Sequence, residues 1–205
     1  MAIVNATVSR LLRSLSPSKW AFSLPQCQPR ITSSAVITNR DQLETRDAGA
    51  VLRIGVISDT HGLLRPEVEE QLAGVAHIVH AGDIGSPDIV GGLQRIAPVI
   101  AIRGNVDTGQ WAEHYPETRM ITLGERCIYI LHDIKTLRLD PVSNGVDVIV
   151  CGHSHRPRIE TVRGVLYLNP GSAGPRRFNL PVTVATLDLT PGGLAPAIHH
   201  LGGSS

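Results

Sequence analysis

The clearest pattern in the sequence is an alternation of short apolar runs with polar clusters. The first run begins at Val51 and stops abruptly at the cluster Asp59, Thr60, His61 and Gly62. A continuous run of aliphatic and β-branched residues predicts a strand that is buried on both faces of an α/β sheet. Ligands of open α/β sheets bind beyond the carboxyl ends of the strands, so this cluster is where we expect chemistry.

The same alternation continues through residues 51–205 and predicts an α/β fold. Two helices are predicted at residues 65–73 and 86–96, because each has proline and an acidic residue in its first turn. Strand, polar cluster and helix in repetition predict a parallel β-α-β arrangement. Further strands are predicted at residues 77–80, 98–102, 147–150 and 182–189, with hairpins at 118–131 and 158–168 and a closing segment at 195–201.

Residues 1–50 show neither a helical nor a strand period, and they contain no acidic residue before Asp41. This Ser-, Arg- and Pro-rich composition suits an organelle-targeting peptide over residues 1–40. It equally suits a disordered tail, or a segment translated from a start codon placed too far upstream. We therefore assign residues 51–205 to a single folded domain and keep all three interpretations for residues 1–50.

Composition and charge argue against several classes of protein. Of 205 residues 42% are hydrophobic and 18% charged, which is typical of a soluble globular protein. Residues 41–205 hold 14 of the 19 basic residues and all 18 acidic ones, so they lack the basic field that tracks a nucleic-acid polymer. No apolar stretch approaches the ~20 residues of a membrane span. Three scattered cysteines indicate no disulfide framework, which favours the cytoplasm as the location.

The polar clusters after five predicted strands contain candidate metal ligands of only two chemical types, oxygen and imidazole. They are Asp59, His61, Asp83, Asn105, His132, His153 and His155. In extended backbone, side chains two positions apart point the same way, so Asp59 and His61 are expected to reach one cation. A ligand set without thiolate favours Mn²⁺, Fe²⁺, Zn²⁺ or Mg²⁺ over soft metals. Seven ligands suit two divalent ions about 3.5–4 Å apart.

The ordered motifs resemble those of the calcineurin-like metallophosphoesterase superfamily. The resemblance covers residues 52–189 and rests on D-x-H at 59–61, G-D at 82–83, G-N-x-D at 104–107, His132, and G-H-S-H at 152–155. The short spacings and L-N-P-G-S at 168–172 look most like the YfcE-like phosphodiesterase branch, with the retromer subunit of the same fold nearby. The resemblance implies a four-layer αββα sandwich with two mixed β-sheets.

The resemblance also implies how the ligands divide between two ions, with Mn²⁺ expected and Ni²⁺, Fe²⁺, Zn²⁺ or Mg²⁺ as alternatives. Asp83 is expected to bridge them. One ion would be held by Asp59, His61, Asp83 and His155, and the other by Asp83, Asn105, His132 and His153. The implied activity is hydrolysis of a small phosphodiester by a hydroxide between the ions, with Asn105 supporting the reaction.

Two positions depart from the wider family. Val106 stands where many members carry a histidine that assists the leaving group, although the YfcE-like branch also lacks it. Its absence is expected to favour substrates with good leaving groups, or to require another proton donor. Asp133 follows His132 where glycine is usual, which leaves the shape of that loop open.

Several residues near the motifs have competing interpretations. Arg103 adjoins Asn105 and is our candidate for binding substrate phosphate, whereas the pair Arg176 and Arg177 is predicted to lie in a solvated loop. Glycines around Ser172 either cradle a phosphate or shape a tight loop. The histidines outside the motifs are predicted to be structural or solvated; they are His77, His80, His114, His199 and His200.

The principal alternative to an enzyme is a protein-binding scaffold of the same fold with a vestigial metal site. All seven motif positions retain a side chain that can ligate a metal, which favours the enzyme. The physiological substrate, the native metal pair, the general acid and a homo-oligomeric state are left open by the sequence.

Overall fold

The structure is a computed structural model that describes residues 51–177 and 179–202. The predictions for residues 1–50 therefore lie outside the described residues. No helix in the described part of the chain is both long enough and apolar enough to cross a membrane.

The described residues form ten strands, two α-helices and two short 3₁₀ helices. In chain order they are β1 (Leu52–Ile57), α1 (Pro66–Gln71), β2 (His77–His80), α2 (Pro87–Gln94), β3 (Val99–Ala101), a 3₁₀ helix (Gln110–His114), β4 (Thr118–Leu123), β5 (Arg126–Leu131), a 3₁₀ helix (Ile134–Thr136), β6 (Val148–Val150), β7 (Arg158–Val162), β8 (Val165–Asn169), β9 (Thr183–Thr190) and β10 (Gly193–His200).

The strands form two mixed sheets of five. The first has the order β10-β9-β1-β2-β3, in which β1, β2 and β3 are parallel and β9 is antiparallel to both of its neighbours. The second has the order β4-β5-β6-β8-β7, with β5, β6 and β8 parallel and an antiparallel hairpin arm at each edge. The predicted β-α-β half and the two predicted hairpins are thus confirmed.

Apolar side chains alternate between the faces of each sheet and so define the layers. Ile54 of β1 packs with Ile128 and Val148 of the other sheet, in a fully buried cluster between the sheets. On the outer face of the first sheet, Ile57 packs with Val68 of α1 and Leu93 of α2. This arrangement removes the apolar faces of both sheets from water, which is the main stabilising contribution to such a fold.

The outer face of the second sheet is covered differently. Tyr129 and Ile149 pack there with Leu137, Leu139 and Val146, which belong to the chain around and after the second 3₁₀ helix. The four-layer sandwich is therefore confirmed. Among the described residues, its fourth layer is made of a 3₁₀ helix and irregular chain, and the α-helices cover the first sheet.

Both helices are shorter than predicted. Helix α2 begins as expected, because the Ser86 side chain accepts a hydrogen bond from the Asp88 N–H (3.3 Å) and Pro87 occupies the first turn. The predicted end was residue 96, but the N–H groups of Arg95 and Ile96 bond three residues back, to Gly92 and Leu93. The last turn therefore tightens into 3₁₀ geometry, as is common at helix ends.

Candidate metal centre

The structure brings all seven predicted ligands to the carboxyl ends of parallel strands. Asp59 and His61 follow β1, Asp83 follows β2, and Asn105 follows β3 in the first sheet. His132 follows β5, while His153 and His155 follow β6 in the second sheet. The face-to-face packing of the sheets places these two sets of loops against each other, so the site lies where the sheets meet at one end of the sandwich.

The first group consists of Asp59, His61 and His155, whose ligand atoms all lie within 4.8 Å of one another. His155 Nε2 is 3.2 Å from Asp59 Oδ1 and 3.3 Å from His61 Nε2. The His61 Nε2 to Asp59 Oδ1 distance is 4.0 Å. Ligands at about 2.1 Å from one ion lie roughly 3 Å apart, so these separations suit a shared cation.

The second group consists of Asp59, Asp83 and His132, and it is the most buried part of the centre. Asp83 Oδ1 lies 3.3 Å from His132 Nε2, whereas Asp83 Oδ2 lies 3.7 Å from His61 Nε2. The two oxygens of one carboxylate therefore face two different histidines that belong to different groups.

Asn105 and His153 form a third pair beside the second group. His153 Nδ1 lies 3.1 Å from Asn105 Oδ1, and the His153 ring lies edge-on to the His132 ring with centroids 5.2 Å apart. The His153 side chain is 43% exposed, compared with 7% for His132. The pair thus forms the open side of the centre.

Five of the ligands have left-handed backbone, with φ of 55° at Asp59, 46° at His61, 55° at Asp83, 66° at His153 and 57° at His155. Among the other described non-glycine residues only Arg163 shares this conformation. The expectation that Asp59 and His61 converge through extended backbone is therefore wrong. They converge through a tight left-handed loop, which is a strained conformation that persists when surrounding contacts impose it.

Backbone hydrogen bonds impose that loop by tying the first two ligand loops together. The N–H groups of Asp59, His61 and Gly62 donate to the carbonyls of Gly82, Asp83 and Ile84 at 2.8–3.0 Å. These bonds fix Asp59 and His61 relative to Asp83.

Asp107 ties the second ligand loop to the third. Its buried carboxylate accepts hydrogen bonds from the N–H groups of Ile84, Gly85 and Gly104 at 2.8–3.0 Å. Gly104 itself packs so closely on Asp83 that an added Cβ would clash with the carboxylate. Asp107 is a residue whose role sequence reasoning missed. Its place in the G-N-x-D motif was the available signal.

Asn169 and the loop after it support the loops of the candidate ligands from the side of the second sheet. Asn169 Nδ2 donates to the Gly152 carbonyl (2.7 Å), next to His153, and Asn169 Oδ1 accepts from the Gly171 N–H (2.9 Å). Ser172 Oγ donates to the Asp59 carbonyl (2.9 Å), and a Cβ at Gly174 would clash with the Thr60 carbonyl. These contacts favour the interpretation of this glycine-containing loop as a tight support for the ligands.

Two buried ligand atoms lack hydrogen-bond partners, and both point into the centre. Asp59 Oδ2 is satisfied by Ser58 Oγ (2.6 Å) and the His153 N–H (3.1 Å), whereas Asp59 Oδ1 accepts no hydrogen bond. His132 Nδ1 bonds the Ala81 carbonyl (2.8 Å), which leaves His132 Nε2 unpartnered. Unsatisfied buried polar atoms are costly, and a cation bound at each of them would satisfy it. The residues present therefore fit a metal.

The electrostatics of the centre also suit a cation. Burial favours the neutral form of Asp83, but His132 and the Val106 N–H outweigh it and lower the Asp83 pKa to about 2. Burial opposes the charged form of His132, yet the Asp83 carboxylate raises the His132 pKa. Burial, followed by the positive charge of Arg177, lowers the pKa of His61 and so keeps its lone pair free at neutral pH.

Arg103 and Arg177, the subjects of two predictions, have different surroundings in the structure. The Arg103 guanidinium pairs with Glu117 at 2.8 Å, so it is engaged at the edge of the centre and its role in binding substrate stays a prediction. Arg177 is exposed, as expected for a solvated loop, but it lies near enough for its charge to act on His61.

His80 is structural, as predicted. It is fully buried, and its Nδ1 accepts a hydrogen bond from the Gly82 N–H (3.2 Å). Its Nε2–H therefore donates to Thr60 Oγ1 (3.0 Å), whose hydroxyl donates to the Ile84 carbonyl (2.9 Å).

The fold is that of a known family. The family model of the calcineurin-like phosphoesterase superfamily domain matches residues 52–192. The chain therefore belongs to the calcineurin-like phosphoesterase superfamily, as its motifs indicate.

Among curated relatives, a probable metallophosphoesterase of Methanothermobacter thermautotrophicus is 36% identical over 148 residues, which are 66% of this chain and 86% of the relative. A phosphodiesterase of Methanocaldococcus jannaschii is 27% identical over 156 residues, which are 67% of this chain and 93% of the relative. Both relatives have names that refer to the hydrolysis of phosphoesters.

Two solved structures show the same architecture. The phosphoesterase YfcE from E. coli is 26% identical, with a TM-score of 0.53 over 66% of this chain and 88% of that chain. Vacuolar protein sorting 29 from Cryptosporidium parvum is 22% identical, with a TM-score of 0.60 over 77% of this chain and 100% of that chain. The second likeness shows the shared fold alone.

Proposed function

We propose that this protein is a dinuclear metal-dependent phosphoesterase that hydrolyses phosphodiester bonds. The proposal rests on the position of Asp83, whose two carboxylate oxygens face His132 at 3.3 Å and His61 at 3.7 Å. A carboxylate shared between two histidine groups is the arrangement that a bridging ligand needs. Divalent ions with oxygen and imidazole preference, Mn²⁺ first, fit the donor set.

The seven ligands would divide around this bridge. We assign Asp59, His61 and His155 to the ion on the side of Asp83 Oδ2, which His61 faces, and His132, Asn105 and His153 to the ion on the side of Asp83 Oδ1, which His132 faces. Two such ions would lower the pKa of a bound water and would stabilise the attacking and leaving oxygens of an in-line displacement at phosphorus.

The chain's own side chains orient the substrate around that centre. Asn105 and His153 form the exposed side of the centre, where the Asn105 amide can donate a hydrogen bond to a phosphoryl oxygen. Arg103, which is two positions before Asn105, and Arg177, whose charge acts on His61, could bind the remaining oxygens; for Arg103 this requires breaking its ion pair with Glu117.

The scaffold alternative has less support. A vestigial site has no reason to retain five strained left-handed ligands or two unsatisfied buried ligand atoms, since both features lower stability unless they serve binding. The likeness to vacuolar protein sorting 29 does not favour the scaffold, because it extends only to the fold.

The proposal is tested by a metal-depletion assay on the full chain. Protein stripped by a chelator is assayed before and after addition of Mn²⁺ on p-nitrophenyl phosphate, bis-p-nitrophenyl phosphate and a cyclic nucleotide. We expect no turnover without metal and restored turnover with Mn²⁺, fastest on the aryl diester. At the lowest Mn²⁺ concentration that saturates wild-type protein, His155→Ala should lose most of this activity, whereas His114→Ala, which changes an exposed histidine outside the centre, should retain it. Absence of turnover with every metal and substrate would support the scaffold.

A further inference from the structure

The loop that follows His132 places a carboxylate beside the metal centre. Asp133 Oδ1 accepts a hydrogen bond from the Lys135 N–H (3.0 Å), which makes Asp133 the N-cap of the 3₁₀ helix Ile134–Thr136. Asp133 Oδ2 points the other way and lies 3.8 Å from His153 Nε2. The cap therefore holds one oxygen of the carboxylate and leaves the second facing a candidate ligand.

The two nitrogens of the His153 ring face different partners. Nδ1 lies 3.1 Å from the Asn105 oxygen, which would accept a hydrogen bond from Nδ1–H in one tautomer and would share an ion with Nδ1 in the other, and Nε2 faces Asp133. A neutral imidazole carries a hydrogen on one nitrogen and a lone pair on the other. A carboxylate near Nε2 favours the form with hydrogen on Nε2, and that form leaves the Nδ1 lone pair available to a metal.

His153 needs such a partner more than the other histidine ligands do. His132 is 7% exposed and its second nitrogen is bonded to the Ala81 carbonyl, so both its ring position and its tautomer are fixed. His153 is 43% exposed and has left-handed backbone, so packing alone does not fix its ring. Asp133 is the charged group that faces the free side of that ring.

We propose that Asp133 is a positioning residue that holds His153 in the Nε2–H tautomer, with Nδ1 directed at the second ion. The inference rests on the proposed function, because it assigns a role toward the second of two ions. Asp133 acts through His153 and does not itself touch the ion. Carboxylates that orient a ligating histidine in this way contribute about 10–100-fold to metal affinity.

Two substitutions separate positioning from helix capping. Asp133→Ser keeps an N-cap oxygen for the Lys135 N–H but removes the oxygen that faces His153. Asp133→Asn keeps the shape and the cap oxygen but presents amide N–H groups to Nε2, which favours the opposite tautomer. Asp140→Ser is the matched control, because Asp140 is an exposed aspartate that caps its own turn by accepting a hydrogen bond from Ser143 Oγ.

The experiment measures Mn²⁺ binding by titration calorimetry on the full chain, together with the ¹⁵N chemical shifts of the His153 ring in metal-free protein. We expect unfolding midpoints close to wild type, an unchanged first ion, and affinity for the second ion lower by about 10–100-fold in Asp133→Ser and at least as much in Asp133→Asn. The Nε2–H share of His153 should fall in both variants and stay unchanged in Asp140→Ser.

The possible failures are distinguishable. Wild-type protein that binds a single ion would overturn the proposed dinuclear function and this inference with it. Wild-type protein that binds two ions, with unchanged second-ion affinity and tautomer ratio in both Asp133 variants, would overturn the role of Asp133 alone.

Discussion

At the scale of single residues, Val106 occupies the position after Asn105 where a histidine could protonate the leaving group. Its N–H donates to Asp83 Oδ1 (3.1 Å), so its backbone is held against the candidate bridging ligand. Its side chain is 43% exposed and contributes little to the core. A change of this side chain therefore alters the chemistry at the open face of the centre with little effect on packing.

We predict that turnover is much faster on nitrophenyl diesters than on alkyl diesters, because no histidine follows Asn105 to protonate a poor leaving group. Val106→His should lower the ratio of the nitrophenyl rate to the alkyl rate by roughly 10-fold or more, because a positioned general acid contributes about 10²–10⁴-fold. The measurement is kcat/KM on matched aryl and alkyl diesters. Val142→His, at another valine that is 43% exposed, is the control. Equal rates on both substrate types in wild-type protein would contradict the prediction and indicate another general acid.

Some features of these single residues could be predicted from the sequence, and others could not. The identity of the ligands follows from polar side chains at strand ends, and this prediction needs only strand periodicity. The left-handed φ of Asp59 and His61 could not be predicted, because the contacts that impose it come from residues more than 20 positions away, at Gly82, Asp83 and Ile84. The approach of Asp133 to His153 could not be predicted for a similar reason, since the two residues lie 20 positions apart in the sequence.

At the scale of structural elements, the centre consists of loops that are linked by buried polar groups. His80 links the end of β2 to the first ligand loop through Thr60, and burial lowers the pKa of His80 from 6.5 to about 4. His80 is therefore neutral in the folded protein over a pH range where the unfolded chain protonates it.

We predict that this difference makes stability depend on pH between about 6.5 and about 4. As the pH falls through this window, the unfolded chain takes up a proton at His80 while the folded protein does not. The free energy of unfolding should therefore fall, by on the order of 3 kcal/mol for this group. Urea unfolding of metal-free protein at several pH values measures the slope.

His80→Asn provides the comparison. The variant is expected to be less stable at neutral pH, but its stability should fall less steeply with acid because the buried imidazole is gone. The other histidines are common to both proteins, so they cancel in the difference. Parallel stability curves for the two proteins would contradict the assignment of His80.

Element order was predicted well from the sequence, and element ends less well. Alternating apolar runs gave the β-α-β half and both hairpins, because burial imposes those patterns directly. The ends of α1 and α2 depend on the local hydrogen bonding of the last turn, and hydrophobic periodicity does not predict this hydrogen bonding. The irregular fourth layer over β5 and β6 was missed because its apolar residues Leu137, Leu139 and Val146 show no helical spacing.

At the scale of the whole molecule, every predicted ligand and both sheets lie within residues 52–200. We therefore predict that the chain from Val51 onward folds and binds two transition-metal ions without residues 1–50. The truncated protein is compared with the full chain by circular dichroism, thermal unfolding and metal analysis. An unfolded or metal-free product from the truncated chain would mean that residues 1–50 contribute to the core or to the site.

The central claim is that Asp83 joins two ions in one catalytic centre, and the Asp83→Asn variant tests it most directly. Asparagine keeps the shape but removes the charge that offsets the repulsion between two nearby dications in a partly desolvated site. The measurement is the number of Mn²⁺ ions bound per chain together with turnover of bis-p-nitrophenyl phosphate, over a range of Mn²⁺ concentrations.

We predict two ions and full turnover for wild-type protein, and loss of the second ion and of activity for Asp83→Asn even in excess Mn²⁺. His153→Ala and His155→Ala remove one ligand from one ion each, so excess Mn²⁺ should restore them more readily. Retention of two ions and near-wild-type turnover by Asp83→Asn would contradict the account, because the ions would then be bridged by another group or the reaction would need only one.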